Sequence, residues 1–179
     1  EAIKASGGIT PYSDLTNIKL IRKNATDLGG GYITTSLNIL PEISGENLTD
    51  SQNIKIIDGD IIKISKSNTL ITEQMMMSMR NNINPSEIMV FISGQSSRLG
   101  KQIVPNGSSL NQAIASAGGK RIFSGEIEFY RFKVDGTVSK RKFRHKPEAK
   151  QGEYQNPMLI DGDIINIARS PIGYATDAI

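Results

Sequence analysis

Apolar positions in this chain fall into short β-branched runs broken by glycine and aspartate, the punctuation of strands and tight turns rather than of long helices. Ile18-Lys19-Leu20-Ile21-Arg22-Lys23 and Ile127-Glu128-Phe129-Tyr130-Arg131-Phe132-Lys133 predict strands, and they align with Arg22 on Arg131. Ile57-Asp58-Gly59-Asp60-Ile61-Ile62-Lys63-Ile64 returns as Ile160-Asp161-Gly162-Asp163-Ile164-Ile165-Asn166-Ile167. Each copy predicts a turn feeding a buried strand: Gly59 and Gly162 supply positive φ, and Asp58, Asp60, Asp161 and Asp163 accept backbone N–H bonds. A third matched pair, residues 2–8 and 113–119, predicts short helices stopped by Gly7-Gly8 and Gly118-Gly119. In the second of these Ser109 and Gln112 fit a capping box, and Leu110, Ile114 and Ala117 form an apolar stripe.

The paired segments imply two related units. The second predicts strand, strand, helix, strand, strand, strand, opening with a hairpin of Ile88–Gly94 and Lys101–Val104. The first lacks that opening hairpin and carries extra loop residues around Gly29-Gly30-Gly31 and Pro41 to Leu48. The expected division is 1–66 as a partial first domain, 67–86 as a helical linker, 87–170 as the second domain and 171–179 as a tail. In the linker Ile71, Met75 and Met79 recur at helical spacing, and Met75, Met76, Met77 and Met79 are expected to pack between the units. An open sheet edge in the first unit is a pairing hazard, so a strand of another chain, or the chain's own N-terminal segment, is expected to cover it.

Composition narrows the chemistry. The 179 residues contain no Cys, which excludes disulfides, thiolate metal sites and cysteine nucleophiles. No apolar run approaches the roughly 20 residues of a spanning helix, and the chain reads as a piece of a longer protein. Net charge is +3, yet residues 120–150 hold ten Lys or Arg against four Asp or Glu. Asp135-Gly136 between Val134 and Thr137 predicts a two-residue hairpin turn pairing 126–134 with 137–144. That register places Arg131, Lys133, Lys140 and Lys142 on one face, either as an ordinary solvated hairpin or as a contact for an anionic polymer. It also puts Ile127 and Phe129 on that face, so the two copies disagree about which side of the strand is core.

The other candidate sites favour structural readings. Two carboxylates in Asp-Gly-Asp fall short of the about six oxygen ligands calcium takes. The glycine pairs sit at helix C-termini, where the dipole repels phosphate. His145, the only histidine, stands among cations without a carboxylate or nucleophile partner. The residues therefore predict no enzyme, cofactor or metal site.

Val90-Phe91-Ile92-Ser93-Gly94, Ser109 to Gly119, Asp135-Gly136-Thr137-Val138, Asn156-Pro157-Met158-Leu159 and Asp161 to Ile165, in that order, resemble the soluble-ligand-binding β-grasp (SLBB) domain. The wording is most similar to outer-membrane polysaccharide export proteins, particularly cyanobacterial ones, over residues 86–170 and, as a partial earlier copy, over 1–65. The resemblance implies an α+β fold of two tandem β-grasp domains, the first without its N-terminal hairpin. It further implies a homo-oligomer at the periplasmic face of the outer membrane that handles capsular polysaccharide or exopolysaccharide beside an inner-membrane polysaccharide co-polymerase. The export domain that normally precedes the β-grasp copies is missing from these residues. An alternative is a soluble periplasmic module binding an oligosaccharide or another small molecule. Nucleic acid is not expected as a partner, because net charge is modest and a stacking platform is lacking.

Overall fold

The computed structural model describes residues 2–25, 29–41, 54–69, 71–80 and 84–171. The chain divides into two compact units, Glu1–Asn84 and Pro85–Ile179. The tail residues 172–179 and most of the loop expected over Pro41 to Leu48 lie outside the described residues.

In the first unit, helix α1 (Ala2–Ala5) precedes strands β1 (Ser13–Lys23), β2 (Tyr32–Leu37) and β3 (Ile61–Lys66), and helix α2 (Thr72–Arg80) follows. The sheet order is β2-β1-β3, antiparallel throughout. Leu15 and Ile18 on β1 form the buried centre, with Ile3, Ile9, Leu37, Ile39, Leu40, Ile62, Ile64 and Met77 packed around them. Gln74 of α2 accepts the N–H of Leu15 at 3.0 Å and Met75 is buried, so α2 packs within the first unit. The side chain of Met79 lies outside the described residues. Among the described residues β3 pairs with β1 alone, and the N-terminal segment forms α1 instead of a strand on the free edge of β3.

The second unit runs β4 (Glu87–Gly94), β5 (Gly100–Pro105), α3 (Leu110–Ser116), β6 (Ser124–Phe132), β7 (Val138–Phe143) and β8 (Ile164–Arg169). Its sheet order is β5-β4-β8-β6-β7, with β4 parallel to β8 and the other pairs antiparallel. The three strands β7-β6-β8 repeat β2-β1-β3, and the β4–β5 hairpin is what the second unit adds. Ser109 caps α3, and the reciprocal bonds between Ser109 and Gln112 complete a capping box. At the other end the Gly119 N–H reaches the Ile114 carbonyl at 2.9 Å, just as the Gly8 N–H reaches Ile3 in α1. Leu110, Ala113, Ile114 and Ala117 of this helical segment join Val90, Ile92, Ile127, Phe129, Phe143, Leu159, Ile165 and Ile167 in one core. Burying each large aliphatic or aromatic side chain there contributes about 1.5–3 kcal/mol.

The β6–β7 hairpin corrects the two-residue turn. Phe132 pairs with Val138 and Tyr130 with Lys140, the Lys133 N–H donates to the Thr137 carbonyl at 2.8 Å, and Val134-Asp135-Gly136 form a three-residue loop. Gly136 stands at φ +81°, and the Asp135 carboxylate accepts the N–H and the hydroxyl of Thr137. A three-residue loop with its glycine in the left-handed region shifts the register by one residue, and one residue moves every side chain to the other face. The shift turns Lys140 and Lys142 of β7 to the face opposite Ile127, Phe129 and Arg131 and brings Phe143 beside Ile127; the Ile127 and Phe129 side is buried, as Ile18 and Leu20 are, and the two copies agree.

Candidate functional site

The most highly organised polar feature in each unit is a clamp between the central strand and the Asp-Gly-Asp turn. Gly59 and Gly162 adopt φ +84° and +83°, and the N–H groups of Asp60 and Asp163 bond back to the carbonyls of Ile57 and Ile160. Both are type II turns, which need a positive φ at the third position. The second aspartate of each turn folds inward: Asp60 accepts the Ile57 N–H at 2.9 Å, and Asp163 accepts the Ile160 N–H at 2.8 Å.

Each carboxylate then meets an arginine from the central strand. Arg22 Nε and Nη2 donate to the two oxygens of Asp60 at 2.8 and 2.7 Å, and Arg131 Nε and Nη2 donate to those of Asp163 at 2.9 and 2.6 Å. The same Nη2 donates to the Lys55 carbonyl in one unit and to its counterpart Met158 in the other. The planar guanidinium suits this two-pronged bond to a carboxylate. Neither clamp was anticipated from the sequence, although Arg22/Arg131 and Asp60/Asp163 both recur in the repeat. Opposite charges recurring together were the signal.

Their environments differ. The Arg22 side chain is 33% exposed and that of Arg131 9%, with the Arg131 guanidinium also lying 5.1 Å from the centre of the Phe129 ring. The hydrogen bonds from Arg22, with help from the Ile57 N–H, hold the Asp60 carboxyl down at about 2. Burial pushes Asp163 up, against the pull of Arg131.

The four cations assigned to one face are not brought together. Arg131 faces the core in its clamp. Lys140 and Lys142 project from the opposite face, where cross-strand acids meet them: Lys140 Nζ lies 3.3 Å from Glu128 and Lys142 Nζ 3.3 Å from Glu126. Tyr130 and Asn166 also donate to Glu128, at 2.9 and 3.1 Å, and the hydrogen bond from Tyr130, then those from Asn166 and Lys140, hold its carboxyl below the ordinary value. Lys133 is exposed beside the hairpin loop. Arg131 is thus a structural residue, corrected by the register.

Among the described residues no helix is long and apolar enough to cross a membrane, and no group of three or more His, Asp or Glu side chains could hold a metal ion.

An α+β chain with a three-stranded and a five-stranded sheet and few helices fits the β-grasp-like architecture. Residues 1–35 match the family model of the SLBB domain, a span covering α1, β1 and the start of β2. A comparison with curated proteins finds no match.

Proposed function

We propose that this chain is a non-enzymatic structural part of a polysaccharide export assembly, its two β-grasp units making subunit contacts that support passage of capsular polysaccharide or exopolysaccharide across the outer membrane. The observation that carries this reading is the SLBB match at residues 1–35 in a unit whose strand order and clamp are repeated in the second unit. The edge of β3, unpaired among the described residues, supports the contact role, since an unpaired strand offers N–H and carbonyl groups to a neighbouring chain. Under this reading the partners are further copies of the protein, the polysaccharide and an inner-membrane co-polymerase, and the site of action is the periplasmic face of the outer membrane.

Two measurements test it. Deleting the full-length protein from its own cells should abolish surface polysaccharide, and light scattering of the full-length protein should find a discrete large oligomer. Unchanged surface polysaccharide would overturn the export role. A monomer that still binds oligosaccharide would leave a soluble ligand-binding module in its place.

A further inference from the structure

A second group of cations gathers where the base of the β6–β7 hairpin meets the end of β8. One end of the second unit's sheet opens into a cleft of about 630 Å³ whose walls include Lys120, Lys142, Arg144, His145 and Arg169, with Glu126 as its acidic residue. Glu126 is engaged by Lys142. Among the described residues no carboxylate stands within ion-pair distance of Lys120 or Arg144. A second depression of about 510 Å³ adjoins it, sharing Lys120 and Arg169 and adding Arg121, Ile122 and Phe123. Ile122 and Phe123 are exposed apolar side chains at this rim. The wall is held in place by unusual backbone: Phe123 stands at φ +64°, and its carbonyl accepts the Ser170 N–H at 2.6 Å.

His145 reports on this field. The Asn111 amide donates to the carbonyls of Lys146 and Pro147, so its oxygen is the acceptor facing His145 Nε2 at 2.9 Å, and that ring nitrogen carries the proton. Nδ1 is therefore the titrating atom. Burial, then the positive charge of Lys120, lowers the imidazole's proton affinity, with Glu148 opposing. Lys120 and Arg144, for which no carboxylate stands within ion-pair distance among the described residues, lie in a concave surface that focuses their field and attracts anions.

We propose that this cleft binds the carboxylate groups of an acidic polysaccharide, with Lys120 and Arg144 as the principal cations and the exposed face of Phe123 beside them for the apolar face of a sugar ring. The choice of a glycan over other polyanions rests on the export reading; the anion site itself does not. A carboxylate entering beside His145 stabilises its imidazolium, so binding tightens as pH falls through the titration range of that ring.

The test uses the whole chain and short alginate oligomers as the uronate probe, with neutral dextran of equal length and a single-stranded oligonucleotide as comparisons. Because His145 is the only histidine, its imidazole gives a single titrating NMR signal. Alginate is expected to raise the midpoint of that titration, and Lys120→Gln with Arg144→Gln to weaken binding by about tenfold or more. Lys133→Gln should leave affinity unchanged. In the free protein Lys120→Gln alone should raise the His145 midpoint, which checks the field without any ligand. An unmoved imidazole signal, equal affinity of the double variant and the parent, equal binding of dextran, or tighter binding of the oligonucleotide would each overturn the proposal. Failure here leaves the export phenotype of the deletion standing; alginate binding without an export phenotype removes the export role and keeps the cleft.

Discussion

The two units build the same clamp and differ in what covers it. In the second unit β4 runs parallel to β8 across the turn: the Phe91 N–H donates to the Asp163 carbonyl, the Gly162 N–H to Met89, and the Met89 N–H to the Asp161 carboxylate at 2.8 Å. In the first unit the corresponding groups of Asp60, Gly59 and Asp58 find no protein partner among the described residues. Ile57 is 49% exposed where its counterpart Ile160 is 6% exposed. Both clamps bury their carboxylate side chain to 1% exposure, and what differs is the arginine, 33% exposed in the first unit and 9% in the second, a difference the β4–β5 hairpin is expected to set. Identical hydrogen bonds are placed in unequal surroundings, so their energetic weight should differ.

The sharpest way to break that comparison is to remove one arginine at a time. Arg131→Met leaves Asp163 buried without its partner, and losing one member of a buried pair costs about 3–5 kcal/mol. The Asp60 side chain is as buried as that of Asp163, but its arginine is 33% exposed against 9%, so Arg22→Met lets water reach the carboxylate and should cost distinctly less. Denaturant unfolding followed by residue-resolved NMR reads each unit separately, and equal losses would show that the β4–β5 hairpin does not set the difference. Next comes Gly94, which stands at φ +80° where β4 meets β8. A Cβ there would lie 2.1 Å from the Ile167 carbonyl oxygen, so Gly94→Ala should force the strands apart and cost about 2 kcal/mol or more. Opening should concentrate in the amides of Phe91 to Gln95, and the first unit should keep its protection. Full stability in the variant would mean that the β4–β8 contact gives way freely.

The repeat made most of this architecture legible. Paired turns, matched strands and two glycine-stopped helices required only local chemistry, because Gly59 and Gly162 need positive φ and Ile-Ile-x-Ile needs burial wherever it occurs. The hairpin register was not legible in the same way. Asp135-Gly136 serves a two-residue turn and a three-residue loop alike, and the choice rests on how Ile127, Phe129 and Phe143 fill the core, a tertiary effect. The misplaced register put Arg131 among the surface lysines and hid its partner. The cleft of Lys120, Arg144, His145 and Arg169 gathers from the segment before β6, the residues just after β7, and β8; the excess of Lys and Arg over 120–150 signalled the charge, but not which of those residues the fold brings together.

A gentler test gives the first unit a copy of the second unit's hairpin. Residues 86–108, placed ahead of Glu1, would bring a copy of the β4–β5 hairpin to α1 in the order it has before α3. If the free edge of β3 accepts it in parallel, amide exchange at Ile61 to Lys66 should slow, and the first unit should melt a few degrees higher, about 4–8 °C for each kcal/mol gained in a domain of this size. Unchanged exchange would show that the β3 edge differs from that of β8 in more than the strand paired to it among the described residues.

The smallest effect separates the two aspartates by acid. The carboxyl of Asp60 sits at about 2 in the folded protein, below the roughly 3.9 of an unfolded chain. Its contribution to stability is present above that unfolded value and fades as pH falls toward 2. Asp163 is shifted the other way by burial, so its negative charge opposes folding, and that opposition is relieved as acid protonates it. Protection of the Ile57 amide, which donates to Asp60, should therefore fall on acidification through this range before that of Ile160, which donates to Asp163. A carboxyl-carbon NMR titration gives the direct reading, with Asp60 titrating below and Asp163 above the ordinary aspartate value. Coincident midpoints would mean that the covering strand changes the exposure of the second clamp without changing its electrostatics.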